Sequence, residues 1–363
     1  MSPASRRVRK ARAPKLLLDL LAAHGPSGRE SEATAVWIEA ASAFGKAEVD
    51  AIGTPRVTVP ARGRGPKRRL IVVGHIDEIG LIATHIDEKG FVWFAGVGGW
   101  DPQILVGQRV VFKTRRGQVR GVVGRKPIHL LRGEERKKVP ELRELHVDIG
   151  ARDADDAKQM LRVGDVAVID AAPLELPNGR LVSRALDNRL GSFVSLEAAR
   201  IVAEAGGGQW EVVAIAAVQE ETTFGGSETS AFSLAPDAAI VIDVTHATDA
   251  PNIDVRQEGS HDLGSGPVIA RGSTLNEQLF EVIAAAGDAA KTPYTLEGHG
   301  RETGTDADAI HKSRGGVPTG LVSIPLRYMH SAAELVDVED VTNSAKLVGA
   351  AALRLKRTTT LAP

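Results

Sequence analysis

The sequence has no cysteine. Disulfides, thiolate metal ligands and thiol nucleophiles are therefore excluded, and any metal bound here must be held by His, Asp or Glu. Excess charge is also lacking. Lys and Arg total 45 against 46 Asp and Glu, a formal net charge of −1, so the chain as a whole has no electrostatic reason to hold nucleic acid or an anionic membrane. No apolar stretch of signal-peptide type precedes the structured region, and "LLLDLLAA" is too short and too interrupted to span a bilayer. The expectation is a cytoplasmic protein with no membrane and no nucleic-acid partner, and a disordered basic tail over residues 1–13. Two motifs are missing as well. "GGSET" lacks the closing glycine of a G-x-S-x-G elbow, which leaves serine hydrolysis unsupported, and "GHGRETG" and "GVGGWD" miss the G-x-G-x-x-G spacing of nucleotide-binding turns.

What is there describes an ordinary globular protein. Hydrophobic residues make up 43% and charged residues 25% of 363 positions, enough for two domains or one α/β domain carrying an insertion. Leu16, Leu17, Leu20 and Leu21 share a helical face, and "PSGRESEATAVWIEAASAFG" predicts a second helix, with Ser27 or Ser31 as its cap and Gly45 as its stop. The continuous apolar run from Leu70 to Val73 predicts a strand buried on both faces of a mostly parallel sheet. From residue 84 to 172 the texture changes to short β-like runs broken by glycine, an inserted small β-barrel-like domain. Its basic cluster of Arg109, Arg115, Arg116, Arg120, Arg136 and Lys138 predicts a solvated or subunit-contact surface. The α/β texture resumes afterwards, so the fold class is α/β: a mixed, mostly parallel sheet flanked by helices, formed by residues 14–83 and 173–363, with the β insertion between them.

Four apolar runs of the α/β part end on residue types that bind metals: His75 and Asp77, Glu220 and Glu221, Asp243, and His330. Asp187 stands just ahead of a further helix. In open α/β sheets the ligand crevice lies at the carboxyl ends of the strands, so these side chains are expected to converge. Two His, two Asp and one Glu suit a pair of divalent ions such as Zn, Co or Mn, with one carboxylate shared between them. Paired ions lower the pKa of a water and stabilise an oxyanion, the logic of metal-assisted hydrolysis. Adjacent residues at a strand end point in opposite directions, so one of Glu220 and Glu221 can bind metal while the other serves as general base. Asp77, two residues after His75, is placed to orient the imidazole.

With these stretches in view, the sequence resembles the tetrahedral aminopeptidases, the glutamyl-aminopeptidase-like or deblocking-aminopeptidase family, some members of which carry an endoglucanase label. The matching segments are "GHIDEIG", "ALDNRLG", "VQEE", "VIDVTHATD" and "GVPTGLVSIPLRYMHSAAE", with "KPIHLL", "EERKKVPEL" and "VDIGA" in the insertion. The resemblance implies a two-metal exopeptidase that takes short peptides and carries two divalent ions per subunit, Zn or Co. It further implies a homo-oligomer built from dimers through the inserted domain, up to a tetrahedral dodecamer. By the same resemblance His75 and Asp243 hold one ion, Glu221 and His330 the other, and Asp187 bridges. Glu220 is similar to the family's general base and Asp77 to the acid that supports a ligand. Thr305 and Asp306 in "GHGRETGTDADAI" resemble pocket residues, and His299 in the same segment is a further substrate-binding candidate. The run "TTFGG" after the Glu pair departs from the family pattern and bears on pocket shape. Three functions stay open at this point: an aminopeptidase, a related two-metal deacylase or carboxypeptidase, and a metal-bearing assembly protein without turnover.

Overall fold

The computed structural model describes residues 12–362 apart from positions 64 and 66. The basic tail expected over residues 1–13 lies mostly outside this range. At its inner end Ala13 is buried, and its N–H donates to Glu175 Oε1 at 3.0 Å.

The centre is an eight-stranded sheet. Four parallel strands form its middle in the order Glu211–Ala217, Arg69–His75, Ala238–His246 and Thr319–Leu326. Alternate residues of these strands serve two separate cores. Leu70, Val72, Ala214, Ile240 and Ile242 face the helices Leu186–Glu204, Glu277–Ala290 and Val338–Arg354, while Ile71, Val73, Ile215 and Val241 face Gly225–Leu234 and Ala307–Ile310. Burial on both faces explains why these strands read as unbroken apolar runs. Pro55–Val59 and Ala47–Val49 extend one side antiparallel, and Val268–Gly272 with Thr295–His299 closes the other.

The glycine-rich insertion is a closed six-stranded antiparallel barrel with its own core, including Phe94, Val110, Phe112, Val147 and Ile169. Its first strand, Gly80–Ile86, starts ahead of the boundary read at residue 84 and leaves the sheet only a few residues after His75. A three-stranded sheet of Leu174–Leu176, Arg180–Ser183 and Glu334–Asp337 joins the chain's return from the barrel to its last helix. Among the described residues no helix is long and apolar enough to cross a membrane.

Local structure departs from the sequence reading beside the site. The second helix runs Ser31–Ala41 and neither Ser27 nor Ser31 caps it; Glu30 occupies that position without a side-chain cap bond. The Ser27 hydroxyl donates instead to Asp77 Oδ2.

Candidate metal centre

The acidic and imidazole side chains gather at the carboxyl side of the parallel strands, on the strands and on the segments that follow or flank them. His75 is the last residue of its strand and Asp243 lies within the neighbouring one, paired in register with Ser323. The strand carrying Asp243 runs on to His246, beyond the apolar run that marked it in the sequence. His330 sits past the end of Thr319–Leu326, in a turn where its φ is +57°. Asp187 opens the helix Leu186–Glu204 in a non-helical conformation. The next side chain, Asn188, is buried; its Nδ2 donates to Ile242 O at 2.9 Å and its Oδ1 accepts from Gly191 N.

The Glu pair is not at a strand end. Gln219 takes a left-handed conformation (φ 61°, ψ 31°) that breaks the strand, and Glu220 and Glu221 open the short helix Glu220–Thr223. Their backbone N–H groups both donate to Asp77, to Oδ1 and Oδ2 respectively, each at 3.1 Å. Asp77 also lies 3.4 Å from His75 Nδ1 through Oδ1. One buried carboxylate thus fixes the imidazole and the turn holding both glutamates.

Asp187 stands between two imidazoles. Its Oδ1 is 3.2 Å from His75 Nε2 and its Oδ2 is 3.3 Å from His330 Nε2. His330 Nε2 is also 3.4 Å from Glu221 Oε2, and His75 Nε2 is 3.6 Å from Glu220 Oε2. Two groups of candidate ligands therefore share Asp187: His75, Asp187 and Asp243 on one side, and Asp187, Glu221 and His330 on the other. Glu334, absent from the sequence expectations, braces the pair from behind: Oε2 accepts the N–H of Asp187 at 3.1 Å and Oε1 that of His330 at 3.0 Å.

The electrostatics are those of a cation site. Burial pushes the Glu221 carboxyl up to about 8, with repulsion from Asp187 adding to it. Burial likewise lifts Asp243 to about 8, again helped by Asp187. Glu220 is pushed up to about 11, first by burial, then by Asp243, Asp306 and Glu221 against the pull of His75. Burial would raise Asp187 too, but the contacts from His330 and His75 hold it well below the usual carboxylate range. Its contact with Asp187 raises His330 to about 9. Buried carboxylates this close repel one another unless positive charge is placed among them. Glu221 Oε1 is moreover buried with no hydrogen-bond partner. Carboxylates with imidazoles and no thiolate match hard or borderline divalent ions, so the residues present fit such a pair.

The ligand groups open into a cavity of about 490 Å³ whose wall includes Thr305 and His299. Asp306 is not part of that wall. It is buried behind Glu220, where burial raises its carboxyl to about 6 against the influence of His75 and Ser227. Phe224, from the divergent "TTFGG" run, lines the cavity as well.

Comparison with known proteins agrees with this architecture. The family model described as M42 glutamyl aminopeptidase matches residues 56–347. A lysyl aminopeptidase from Pyrococcus furiosus is 33% identical, covering 85% of this chain and 87% of its own. The crystal structure of the TET aminopeptidase from Thaumarchaeota archaeon SCGC AB-539-E09 superposes with a TM-score of 0.88 at 34% identity, over 95% of this chain and 96% of that one. The Pyrococcus horikoshii TET1 peptidase, described as assembling into a tetrahedron or a large octahedral shell, gives a TM-score of 0.81 at 29% identity, over 94% and 99% of the two chains. With its barrel inserted just after the His75 strand and its acidic and imidazole groups gathered at the sheet's carboxyl edge, the chain belongs to the M42 glutamyl aminopeptidase family of peptidases.

Proposed function

We propose that this chain removes the N-terminal residue of peptides with two divalent ions, held by His75 and Asp243 on one side, Glu221 and His330 on the other, and Asp187 between them. The observation that carries the proposal is the position of Asp187, one oxygen toward each imidazole. Divalent ions in such a site supply a polarised peptide carbonyl and a water of lowered pKa. Glu220 is the general base: its carboxylate takes the proton of the attacking water and returns it to the leaving amine. Its Oε2 lies 3.6 Å from His75 Nε2, beside the candidate ligands, where it can reach a water held among them. Asp77 binds no substrate and acts by holding His75 and the Glu220–Glu221 turn. As in the P. horikoshii relative, subunits associate, and the barrel offers Ile128, Leu130 and Val139, all exposed, as contact surface.

The test compares aminoacyl-anilides with N-acetylated amino acids as substrates of the Zn- or Co-loaded protein. Free N-termini are the expected substrates, and cleavage of blocked ones alone would replace this reading with a deacylase. Glu220→Gln should retain metal near the wild-type level while kcat falls about 100-fold or more. Undiminished turnover would show that another group is the base.

A further inference from the structure

The cavity wall away from the metal ligands holds chemistry that the hydrolysis does not use. The edge strand Thr295–His299 presents Glu297 and His299 to the cavity, and Thr245, Glu258, Leu321 and Met329 line it too. Glu297 is largely buried. Thr245 Oγ1 donates to its Oε1 at 2.8 Å, and His299 Nε2 lies 3.2 Å from its Oε2. Burial works against ionisation here, but His299 and Thr245 outweigh it and hold the carboxyl below its ordinary range. Only the Thr245 contact is a hydrogen bond: Glu297 Oε2 is buried without a hydrogen-bond partner, so the carboxylate keeps acceptor capacity.

The position fits the far end of a long side chain. Thr245 follows Asp243 by two residues on the same strand, a step of about 6.7 Å, so the group bonded to Thr245 lies one strand repeat beyond the metal ligand. A short N-terminal side chain ends before it. The methylenes of a lysine or arginine can instead span that repeat past Met329, part-buried on the cavity wall, and leave the charged head beside Glu297. His299 does not bar this pairing, because an imidazolium can give up its proton when another cation takes its place beside the carboxylate. Glu258, exposed on the cavity rim, adds a second negative charge.

We propose that Glu297, with Glu258 at the rim, is the specificity-determining residue of this cavity and selects substrates whose N-terminal side chain is a long cation, lysine or arginine. The proposal rests on the aminopeptidase reading above. Acidic N-termini would meet like charge and be disfavoured.

The test measures kcat/KM of the metal-loaded enzyme on Lys-, Arg-, Leu- and Glu-p-nitroanilide for wild type, Glu297→Gln and Glu258→Gln. Wild type should prefer Lys and Arg over Leu, and Leu over Glu. Glu297→Gln should lower the Lys-to-Leu ratio about tenfold or more, mainly through KM, as expected for losing a charged hydrogen-bond partner, and Glu258→Gln should lower it less. A wild-type preference for Leu or Glu overturns the proposal, as does a Lys-to-Leu ratio that Glu297→Gln leaves unchanged. Should Glu297→Gln not fold, the wild-type order and the Glu258→Gln ratio decide. Cleavage of Leu- or Glu-anilide in preference to Lys overturns the specificity alone, whereas no cleavage of any anilide overturns the aminopeptidase reading with it.

Discussion

Glu334 shows how much of the candidate centre depends on a residue that is not itself one of the candidate ligands. Its carboxyl is 2% exposed, accepts the backbone N–H of two candidate ligands, and is raised well above the ordinary carboxylate range, first by burial and then by Asp187. Removing it would leave the buried N–H of Asp187 and the part-buried N–H of His330 without this acceptor and free both residues to shift. Glu334→Ala should therefore weaken metal binding about 10- to 100-fold, read by titrating the metal-free protein with Zn and a competing chelator. Glu334→Gln, whose amide oxygen can still accept, should recover part of that loss. Full affinity in the Ala variant with only a lower Tm would reduce Glu334 to a structural group. His75, Glu221, Asp243 and His330 were legible because each follows an apolar run, the pattern of a strand ending at a crevice, and Asp187 because it stands just ahead of a helix. Glu334 was not, since in "HSAAE" it reads as one more polar turn residue, and its purpose appears only when Asp187, remote in sequence, folds against it. Glu297 was hidden for the same reason: its partner Thr245 comes from another strand.

At the scale of elements, the centre depends on how closely the helix Leu186–Glu204 lies on the strand Arg69–His75. Gly74 makes that approach possible, because a Cβ there would fall 2.2 Å from the carbonyl carbon of Gly191. Neither backbone can yield without moving Asp187 away from His75. Gly74→Ala is expected to cost about 3 kcal/mol or more through overpacking, seen as a lower urea midpoint, and the folded fraction should bind metal more weakly. Wild-type stability and metal affinity in that variant would mean that the two elements have room to separate. The four central strands could be read from their apolar runs because both of their faces are buried, and the helices Leu186–Glu204 and Val338–Arg354 could be read as well, whereas Glu277–Ala290 was not. The edge strands Ala47–Val49 and Thr295–His299 could not, since their residues are half-buried or exposed and carry no apolar run. The turn at Gln219 was missed for another reason. A left-handed non-glycine residue leaves no compositional trace, so the Glu pair looked like the end of a strand when it is the start of a helix.

The whole molecule is nearly neutral at a formal charge of −1, yet it concentrates Asp187, Glu220, Glu221 and Asp243 at one edge of one sheet. That concentration makes stability depend on pH and metal together. In the metal-free fold Glu221 and Asp243 keep their protons up to about 8 and His330 keeps its proton up to about 9, against ordinary values of 4.5, 3.8 and 6.5. Each group binds its proton more tightly folded than unfolded, so between the two sets of values the folded chain carries more protons and loses stability as pH rises. Asp187, held low, acts only in acid, where its contribution disappears as pH falls below the ordinary aspartate range. Divalent ions replace those protons, and their affinity should climb with pH because the ligands must be deprotonated. Chelator-treated protein should therefore lose at least about 5 °C in Tm between pH 5.5 and 8.5, given about 2–4 °C per kcal/mol for a large domain, while Zn- or Co-loaded protein holds or gains over the same range. Differential scanning calorimetry across that range checks both arms. A metal-free Tm that stays level or rises would mean that the carboxylates do not repel one another in the folded chain, and the electrostatic argument for a cation among them would fail with it.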